Sequence, residues 1–347
     1  MNKIFLLRIR SLLVIVLGVL MTSCFLSDPG ENDTGAIHPA ANPGEIEGII
    51  DPSNHGWPRT VEGSNGQVQL QKKPLRVVTA SIGHDEVTYS LIPFERVIGV
   101  GAISKDPIYS NVSDMVQNVT VISREPEVII AEDPDVIVTS IYFDAKKIAV
   151  LNELGIPVIQ TELKSDPEGQ IQNILLMGYI YGEEARAEQL ASEVRSRYDR
   201  LAELVPLGPD SERPMVLAIA SFSNQFYGAG QGSTEGGIIA VAGGRNAGAI
   251  AGLEGNPAIG LESIISMMPE VILITQPEES GRAVRNDLMA NTALSDVPAI
   301  KSGKVYIVEP KYFTTLSFWN ILGAEKLFTI LWPETPNTGF FRPFSKP

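Results

Sequence analysis

One residue pattern occurs twice in this chain, over residues 127–138 and again over residues 262–273. Each copy begins with a glutamate, has isoleucines at the second and third following positions and proline at the seventh, and ends in an aliphatic run. Such a run is typical of a buried parallel strand, and the residues before it are predicted to form a short helix. The repeat therefore predicts two similar α/β lobes.

The segments on either side of the two copies extend the repeat. An apolar strand ending in Ala-Ser precedes each copy, at residues 76–81 and 215–221. A glycine turn that leads into another strand follows each copy, at residues 155–159 and 303–307. Strands joined by helices favour right-handed crossovers and parallel sheets. We therefore predict two Rossmann-like lobes with mostly parallel sheets and helices on both faces.

The stretch between the two lobes is predicted to be helical. Asp166 is a predicted N-cap followed by a proline, and Gly182 is the predicted break. Apolar residues then recur at helical spacing over residues 183–205. We expect these residues to form one long helix that joins the lobes, with the ligand cleft between them. The alternative is an ordinary packing helix of one lobe.

The amino terminus indicates the compartment. A basic start is followed by an apolar run over residues 12–21, which is too short to cross a bilayer, and residues 1–23 are therefore predicted to be a secretion signal. The end of this signal resembles the lipoprotein cleavage box of bacteria, with Cys24 as the lipidated residue. Met21 stands where that box more often has leucine. The alternative is an uncleaved anchor that ends in a free or buried cysteine.

The expected organisation follows from these patterns. Residues 24–57 are rich in Gly, Pro, Asn, Asp and Glu without an apolar period, which predicts a flexible tether. The amino-terminal lobe is expected to span residues 58–182 and the joining helix residues 183–205. The carboxyl-terminal lobe is expected to span residues 206–335, and a tail follows at residues 336–347.

Composition excludes several functions. The chain has 41 acidic and 27 basic residues, for a net charge of −14, which argues against nucleic acid as a partner. Three histidines and one cysteine are too few for a typical transition-metal site. The nucleophile elbow of hydrolases and the lysine of a phosphate-binding loop are both missing. We predict no catalytic residue, no metal site and no cofactor; a secreted two-lobed enzyme and a structural lipoprotein are the alternatives.

A set of short motifs occurs in a fixed order along the chain, at residues 60–62, 73–78, 85–87, 134–138, 154–158, 183–187 and 303–306. In order and spacing they resemble the substrate-binding proteins of bacterial ABC importers for iron-siderophores, haem and cobalamin. The resemblance covers about residues 60–333. It implies a monomeric, lipid-anchored, extracytoplasmic protein that gives a small metal chelate to a permease, with transport driven by a partner ATPase.

The resemblance also assigns a role to the two glutamates that begin the repeats. In the family, one glutamate of each lobe binds arginine pockets of the permease, and Glu127 and Glu262 occupy the matching positions. Paired carboxylates on two lobes would orient such a complex through bidentate contacts with arginine. The alternative is that each glutamate stabilises the start of its own helix through the helix dipole, and both roles are compatible.

Open α/β sheets bind ligands at the carboxyl ends of their strands. This rule gives seven ligand-binding candidates: His84, Tyr109, Arg124, Tyr142, Phe226, Tyr227 and Tyr312. Aromatic walls with a few cations suit a ferric siderophore, and residues 315–317 with Tyr312 look like the hydroxamate binders of the family. Cobalamin or haem is the alternative cargo. Core packing is the alternative for each aromatic residue, and His84 is either an axial ligand of haem iron or an exposed turn residue.

Overall fold

The computed structural model describes residues 46–122, 125–337, 339–345 and 347. Its first regular element is an antiparallel hairpin of two strands, β1 (Arg59–Gly63) and β2 (Gly66–Leu70). Ile49 forms an isolated bridge with Val61 and packs against the main core. Residues 46–57 are thus part of the packed body, whereas the sequence placed them in the flexible tether.

Arg59 fastens this amino-terminal segment to the rest of the molecule. Its guanidinium lies between the rings of Trp57 and Tyr179, at 4.5 and 4.6 Å from the ring centroids. It also donates to the carbonyl oxygen of Tyr179 and forms an ion pair with Glu184 at 2.6 Å. These charge-assisted and cation–π contacts explain why an arginine is stable at a buried position.

The first lobe contains a fully parallel five-stranded sheet in the order β5-β4-β3-β6-β7. Its elements, in chain order, are β3 (Val77–Thr79), α1 (Ile82–Leu91), β4 (Val97–Val100), β5 (Thr120–Val121), α2 (Pro126–Ala131), β6 (Val136–Thr139), α3 (Ala145–Glu153) and β7 (Val158–Gln160). All residues of β3, β6 and β7 are buried, as expected of strands covered on both faces.

Two helices follow the first lobe, α4 (Pro167–Tyr181) and α5 (Glu184–Leu204). Asp166 caps α4 by accepting from the backbone N–H of Gly169 at 2.9 Å, and Gly182 ends it in a left-handed conformation. The cap and the break both agree with the prediction. With 21 residues, α5 is about 31 Å long at ~1.5 Å per residue.

The second lobe contains a mixed sheet in the order β11-β9-β8-β12-β13, with β10 beside the start of β8. Its elements are β8 (Met215–Phe222), β9 (Gln225–Gly228), α6 (Thr234–Val241), β10 (Arg245–Asn246), α7 (Ala247–Ile250), β11 (Ala258–Ile259), α8 (Leu261–Met267), β12 (Val271–Thr275), α9 (Glu278–Ala290), α10 (Pro298–Lys301) and β13 (Val305–Val308). Strands β8, β12 and β13 are parallel, whereas β9 returns antiparallel to β8.

The internal repeat is a repeat in three dimensions. In both copies a short helix, α2 or α8, leads through a proline turn to a central strand, β6 or β12. The residue before the proline has a left-handed backbone in both, with φ of 46° at Asp133 and 47° at Met268. The acid after the proline, Asp135 or Glu270, accepts backbone N–H bonds at the start of the neighbouring strand. The predicted fold class is therefore confirmed.

Helix α5 joins the lobes. It packs on α1 and α4, which precede it in the chain, and on α6 and the last long helix, α12 (Asn320–Leu331), of the second lobe. The approach to α4 is close, because a Cβ atom at Gly178 would lie only 2.2 Å from the Cβ of Ala187. A short helix, α11 (Pro310–Phe313), leads from β13 towards α12.

The carboxyl-terminal residues pack against the joining helix. Phe344 contacts Phe318 and Trp319 edge-on, at ring-centroid distances of 4.8 and 5.0 Å. Arg186 and Arg197 of α5 bond residues of the same segment. The predicted tail is therefore, over the residues described, a strap across α5 and α12. None of the described helices combines the length and the apolar character needed to cross a membrane.

Candidate functional site

A cavity of about 550 Å³ is lined by residues of both lobes. The first lobe contributes the loops that follow β3, β6 and β7, and the second contributes Gly232, Ser233, Gly237 and Leu316. The first-lobe wall thus lies at the carboxyl ends of the strands, where open α/β sheets bind ligands. The volume lies within the ~300–1,000 Å³ range of small-molecule sites.

Three helices begin at this cavity. Their N-cap residues Ser81 of α1, Asp166 of α4 and Ser233 of α6 all line it. Asp166 and Ser233 cap their own helices, whereas Ser81 makes no side-chain cap bond. The positive dipole end of α1 therefore favours an oxygen-rich ligand group here.

His84 lies in the first turn of α1 and is 1% exposed. Its Nε2 atom is 2.7 Å from Thr161 Oγ1, and its Nδ1 atom has no partner among the described residues. Burial lowers the pKa of His84 to about 3, so the imidazole is neutral at physiological pH. The alternative of an exposed turn residue is wrong, because α1 is buried against the core.

The next residue, Asp85, is bonded entirely within the first lobe. It accepts from the Ser104 hydroxyl and from the backbone N–H of Gly101. Burial raises the pKa of Asp85 to about 7, although the hydrogen bond from Ser104 acts in the opposite direction. Glu86, one residue further, is also fully buried, and burial raises its pKa too.

Asp85 makes stability depend on pH. The folded protein keeps this proton up to pH about 7, whereas the unfolded chain loses it near 3.8. Between these values the folded state binds more protons, so the free energy of unfolding falls as pH rises, by up to about 1.4 kcal/mol per pH unit. Asp85→Asn is expected to reduce this fall, measured by denaturant titration at several pH values. Asp287→Asn, at an exposed acid of α9, is the control, and an unchanged slope in Asp85→Asn would contradict the assignment.

Of the seven predicted ligand-binding residues, the structure brings His84 and Tyr142 to the cavity. Tyr142 follows β6 and is 79% exposed, so its ring is free to contact a ligand. Arg124 lies outside the described residues. The other four candidates do not line the cavity: Tyr109, Phe226, Tyr227 and Tyr312.

Each of these four residues has another environment. Tyr109 is partly buried in the loop after β4. Phe226 packs against the core of the second lobe, and Tyr227 pairs with Ala258 of the edge strand β11. Tyr312 packs against the main core with the ammonium groups of two lysines near its ring.

Several polar lining residues were not predicted: Ser140, Thr161, Glu162, Lys164, Ser165 and Asp166. All follow β6 or β7, so the strand-end rule could have found them. The prediction favoured aromatic residues and overlooked short hydroxyl side chains at the same positions.

The two glutamates that begin the repeats lie at equivalent places. Glu127 is in the first turn of α2 and Glu262 is in the first turn of α8, and both are exposed. One carboxylate therefore projects from each lobe at the start of a helix, where the dipole favours it. Cys24 lies outside the described residues.

In the described part of the chain, no three or more His, Cys, Asp or Glu side chains cluster so that they could hold a metal ion. A second concavity of about 580 Å³ lies between α9 and β13 on the second lobe alone. The cavity that both lobes share is therefore the candidate site.

The family model described as periplasmic binding protein matches residues 77–312, which include the main sheet of each lobe and every residue lining the shared cavity except Leu316. The chain belongs to this family. Its members are solute-binding components of transport and are not enzymes, in agreement with the predicted lack of catalysis, and they function outside the cytoplasm. This periplasmic binding protein is accordingly a substrate-binding component of an ABC importer.

Curated relatives include an uncharacterized ABC transporter substrate-binding lipoprotein of Bacillus subtilis, YvrC, which is 25% identical over 285 residues, covering 80% of this chain and 87% of the relative. A protein of Halobacterium salinarum named cobalamin-binding protein is 24% identical over 253 residues, which cover 72% of this chain and 68% of the relative.

Solved structures with the same fold include the haem-binding protein HutB of Vibrio cholerae. Its TM-score is 0.65 at 20% identity, with 75% of this chain and 99% of that chain covered. A periplasmic binding protein of Veillonella parvula has a TM-score of 0.67 at 19% identity, and the match covers 79% of this chain and 97% of that chain. At this identity the likeness shows the fold.

Proposed function

We propose that this protein captures a ferric siderophore of the neutral hydroxamate type in the cavity between its lobes and delivers it to an ABC permease. The observation that carries the proposal is the composition of the cavity wall. The first lobe contributes the hydroxyl groups of Ser81, Ser140 and Thr161 and the ring of Tyr142. The second lobe contributes Ser233, whose hydroxyl already donates to the carbonyl oxygen of Gly230 and caps α6. Hydroxyl groups can donate to and accept from the oxygens and amides of a chelate.

Charge supports a neutral cargo. Lys164 is the only basic side chain among the described lining residues, and it already forms an ion pair with Glu47 at 2.5 Å. Glu162 and Asp166 add negative charge to the same wall. A ferric trihydroxamate is neutral because three hydroxamates balance Fe³⁺, whereas a ferric tricatecholate carries three negative charges. Burying such a trianion without cations is costly, so the wall favours the hydroxamate.

Cobalamin is the second candidate, because one relative bears the name cobalamin-binding protein. Its periphery of neutral amides matches a wall of hydroxyl groups as well as a hydroxamate does. Haem fits less well, since its two propionates would meet Glu162 and Asp166. Tyr142 supplies exposed ring surface for either candidate.

The remaining parts of the proposal concern delivery. Lipidation of Cys24 would hold the protein at the membrane, with the residues before Ile46 as its tether. Glu127 and Glu262 would bind arginine side chains of the permease, one from each lobe, and the partner ATPase would supply the energy. The protein would act as a monomer, since one chain contributes both walls of the cavity.

The test is a thermal-shift titration of the protein from residue 25 onward, which keeps every residue that the structure describes. The probes are a ferric trihydroxamate, a ferric tricatecholate, haem and cyanocobalamin. A ligand at 100 times its Kd stabilises the native state by about 2.7 kcal/mol. We expect a shift with the trihydroxamate and none with the tricatecholate. A shift with cyanocobalamin alone would select the second candidate, and no shift with any probe would refute the proposed function.

A further inference from the structure

A strip of the second lobe is held by a buried carboxylate of the first. The strip is Thr315–Leu316–Ser317, and the carboxylate belongs to Glu86 of α1, which is 0% exposed. The hydroxyl groups of Thr315 and Ser317 both donate to Glu86 Oε2. Thr315 and Ser317 are themselves buried. The contact therefore joins the two lobes at a position buried from solvent.

The other carboxylate oxygen is fixed within the first lobe. Glu86 Oε1 accepts from the backbone N–H and from the side-chain amide of Asn111, both at 2.8 Å. The same amide donates to the carbonyl oxygen of Lys311 at 2.8 Å. Both oxygens of Glu86 are thus fully used, and the carboxylate can shift only if these bonds break.

The middle residue of the strip faces the cavity. Leu316 is 42% exposed between its two buried neighbours and lines the cavity with His84. Its carbonyl oxygen accepts from the side-chain amide of Gln170 at 2.8 Å. Glu86 lies two residues after His84 on the same helix, so α1 contributes one side chain to the cavity and another to the strip.

We propose that Glu86 is a positioning residue for ligand binding: it holds Thr315 and Ser317 so that Leu316 takes its place in the second-lobe wall of the cavity. The inference rests on the proposed function in that the cavity is the cargo site. Glu86 touches no cargo itself. It couples the junction between the lobes to the shape of the site.

The side chains predict which substitution is tolerated. A glutamine can keep the arrangement, because its carbonyl oxygen accepts from Asn111 and its NH₂ group donates to the hydroxyls, which rotate to accept. An alanine leaves Asn111, Thr315 and Ser317 with unpaired buried groups. Glu86→Gln should therefore rescue what Glu86→Ala loses.

The experiment measures the Kd of the probe that the wild-type protein binds, a ferric trihydroxamate or cyanocobalamin, well below the unfolding temperature. We expect Glu86→Ala to weaken binding about tenfold and Glu86→Gln to stay within about twofold of wild type. Asp85→Ala is the matched control, because Asp85 is equally buried on the same helix but bonded only to the first lobe. It should lower stability while leaving Kd within about twofold.

A double-variant cycle separates positioning from general destabilisation. If Glu86 acts through Leu316, then Glu86→Ala should weaken binding less than about twofold in a Leu316→Ala background. Independent, additive losses would overturn the proposal, as would an equal loss of affinity in Asp85→Ala. If Glu86→Ala does not fold, Thr315→Val with Ser317→Ala removes the same bonds from the other side and should give the same tenfold loss.

Hydrogen exchange tests the contact without a ligand. Exchange of residues 313–320 should accelerate in Glu86→Ala and remain as in wild type in Glu86→Gln. Unchanged exchange in Glu86→Ala would overturn the inference whether or not any chelate binds. Failure of wild type to bind any probe would instead refute the proposed function, and accelerated exchange would then support only the holding of residues 315–317.

Discussion

Replacing both Glu127 and Glu262 by alanine is expected to reduce uptake of the cargo at least tenfold while leaving its Kd within about twofold of wild type. Both carboxylates are exposed, one on each lobe, and neither lines the cavity. Each exposed pair with an arginine contributes only about 0–1 kcal/mol, so the loss would arise from orientation of the complex on the permease. Single substitutions should give intermediate uptake.

The measurement is uptake of the labelled chelate by cells that carry the permease and its ATPase, beside a Kd from the purified protein. Glu153→Ala and Glu279→Ala are the matched controls, since both remove exposed glutamates, one from each lobe. Higher ionic strength should slow docking of the wild-type protein more than that of the double variant. Normal uptake by the double variant would contradict docking and leave only the stabilisation of α2 and α8, worth about 0.3–1 kcal/mol each.

Glu325→Ala is expected to lower the free energy of unfolding by about 3–5 kcal/mol. Glu325 lies on α12 and is 2% exposed, and Arg197 of α5 donates to both of its oxygens, at 2.8 and 2.6 Å. The backbone N–H of Phe341 also donates to Glu325, at 2.8 Å. Alanine would leave a largely buried guanidinium without its counterion, next to the strap that covers α5.

Denaturant titration measures this change. Glu278→Ala is the control, because its ion pair with Arg282 on α9 is exposed at both ends and should contribute no more than about 1 kcal/mol. A loss below about 1 kcal/mol in Glu325→Ala would show that the buried pair is not a main support of the junction between α5 and α12. Replacing Arg197 and Glu325 together by methionine should recover most of the loss, since no unpaired charge remains.

The fold was predictable because its signals are local. The repeat at residues 127–138 and 262–273 encodes a helix, a turn and a buried strand in both copies, and aliphatic runs of that kind need cover on both faces. Asp166 caps the start of α4 with its carboxylate, and Gly182 ends α4 because glycine readily adopts the left-handed conformation, so both limits of α4 could be predicted from the sequence.

The candidate site was predictable only in outline. The strand-end rule found His84 and Tyr142, and it would also have found the hydroxyl residues after β6 and β7. The rule could not distinguish the residues that line the cavity from Phe226 and Tyr312, because an aromatic residue near a strand end can equally well pack into the hydrophobic core. Which way each ring points depends on packing against elements distant in sequence.

The sequence by itself determined two α/β lobes with mostly parallel sheets, the long helix between them and the paired glutamates at the starts of α2 and α8. Apolar periodicity, helix caps and turns are each determined by residues close together in the chain, so they can be recognised from the amino-acid sequence alone. Only the tertiary structure decided that His84 is buried and neutral, and that Glu86 binds hydroxyl groups more than 200 residues away. Desolvation and long-range hydrogen bonds depend on which surfaces meet, and no local pattern carries that information.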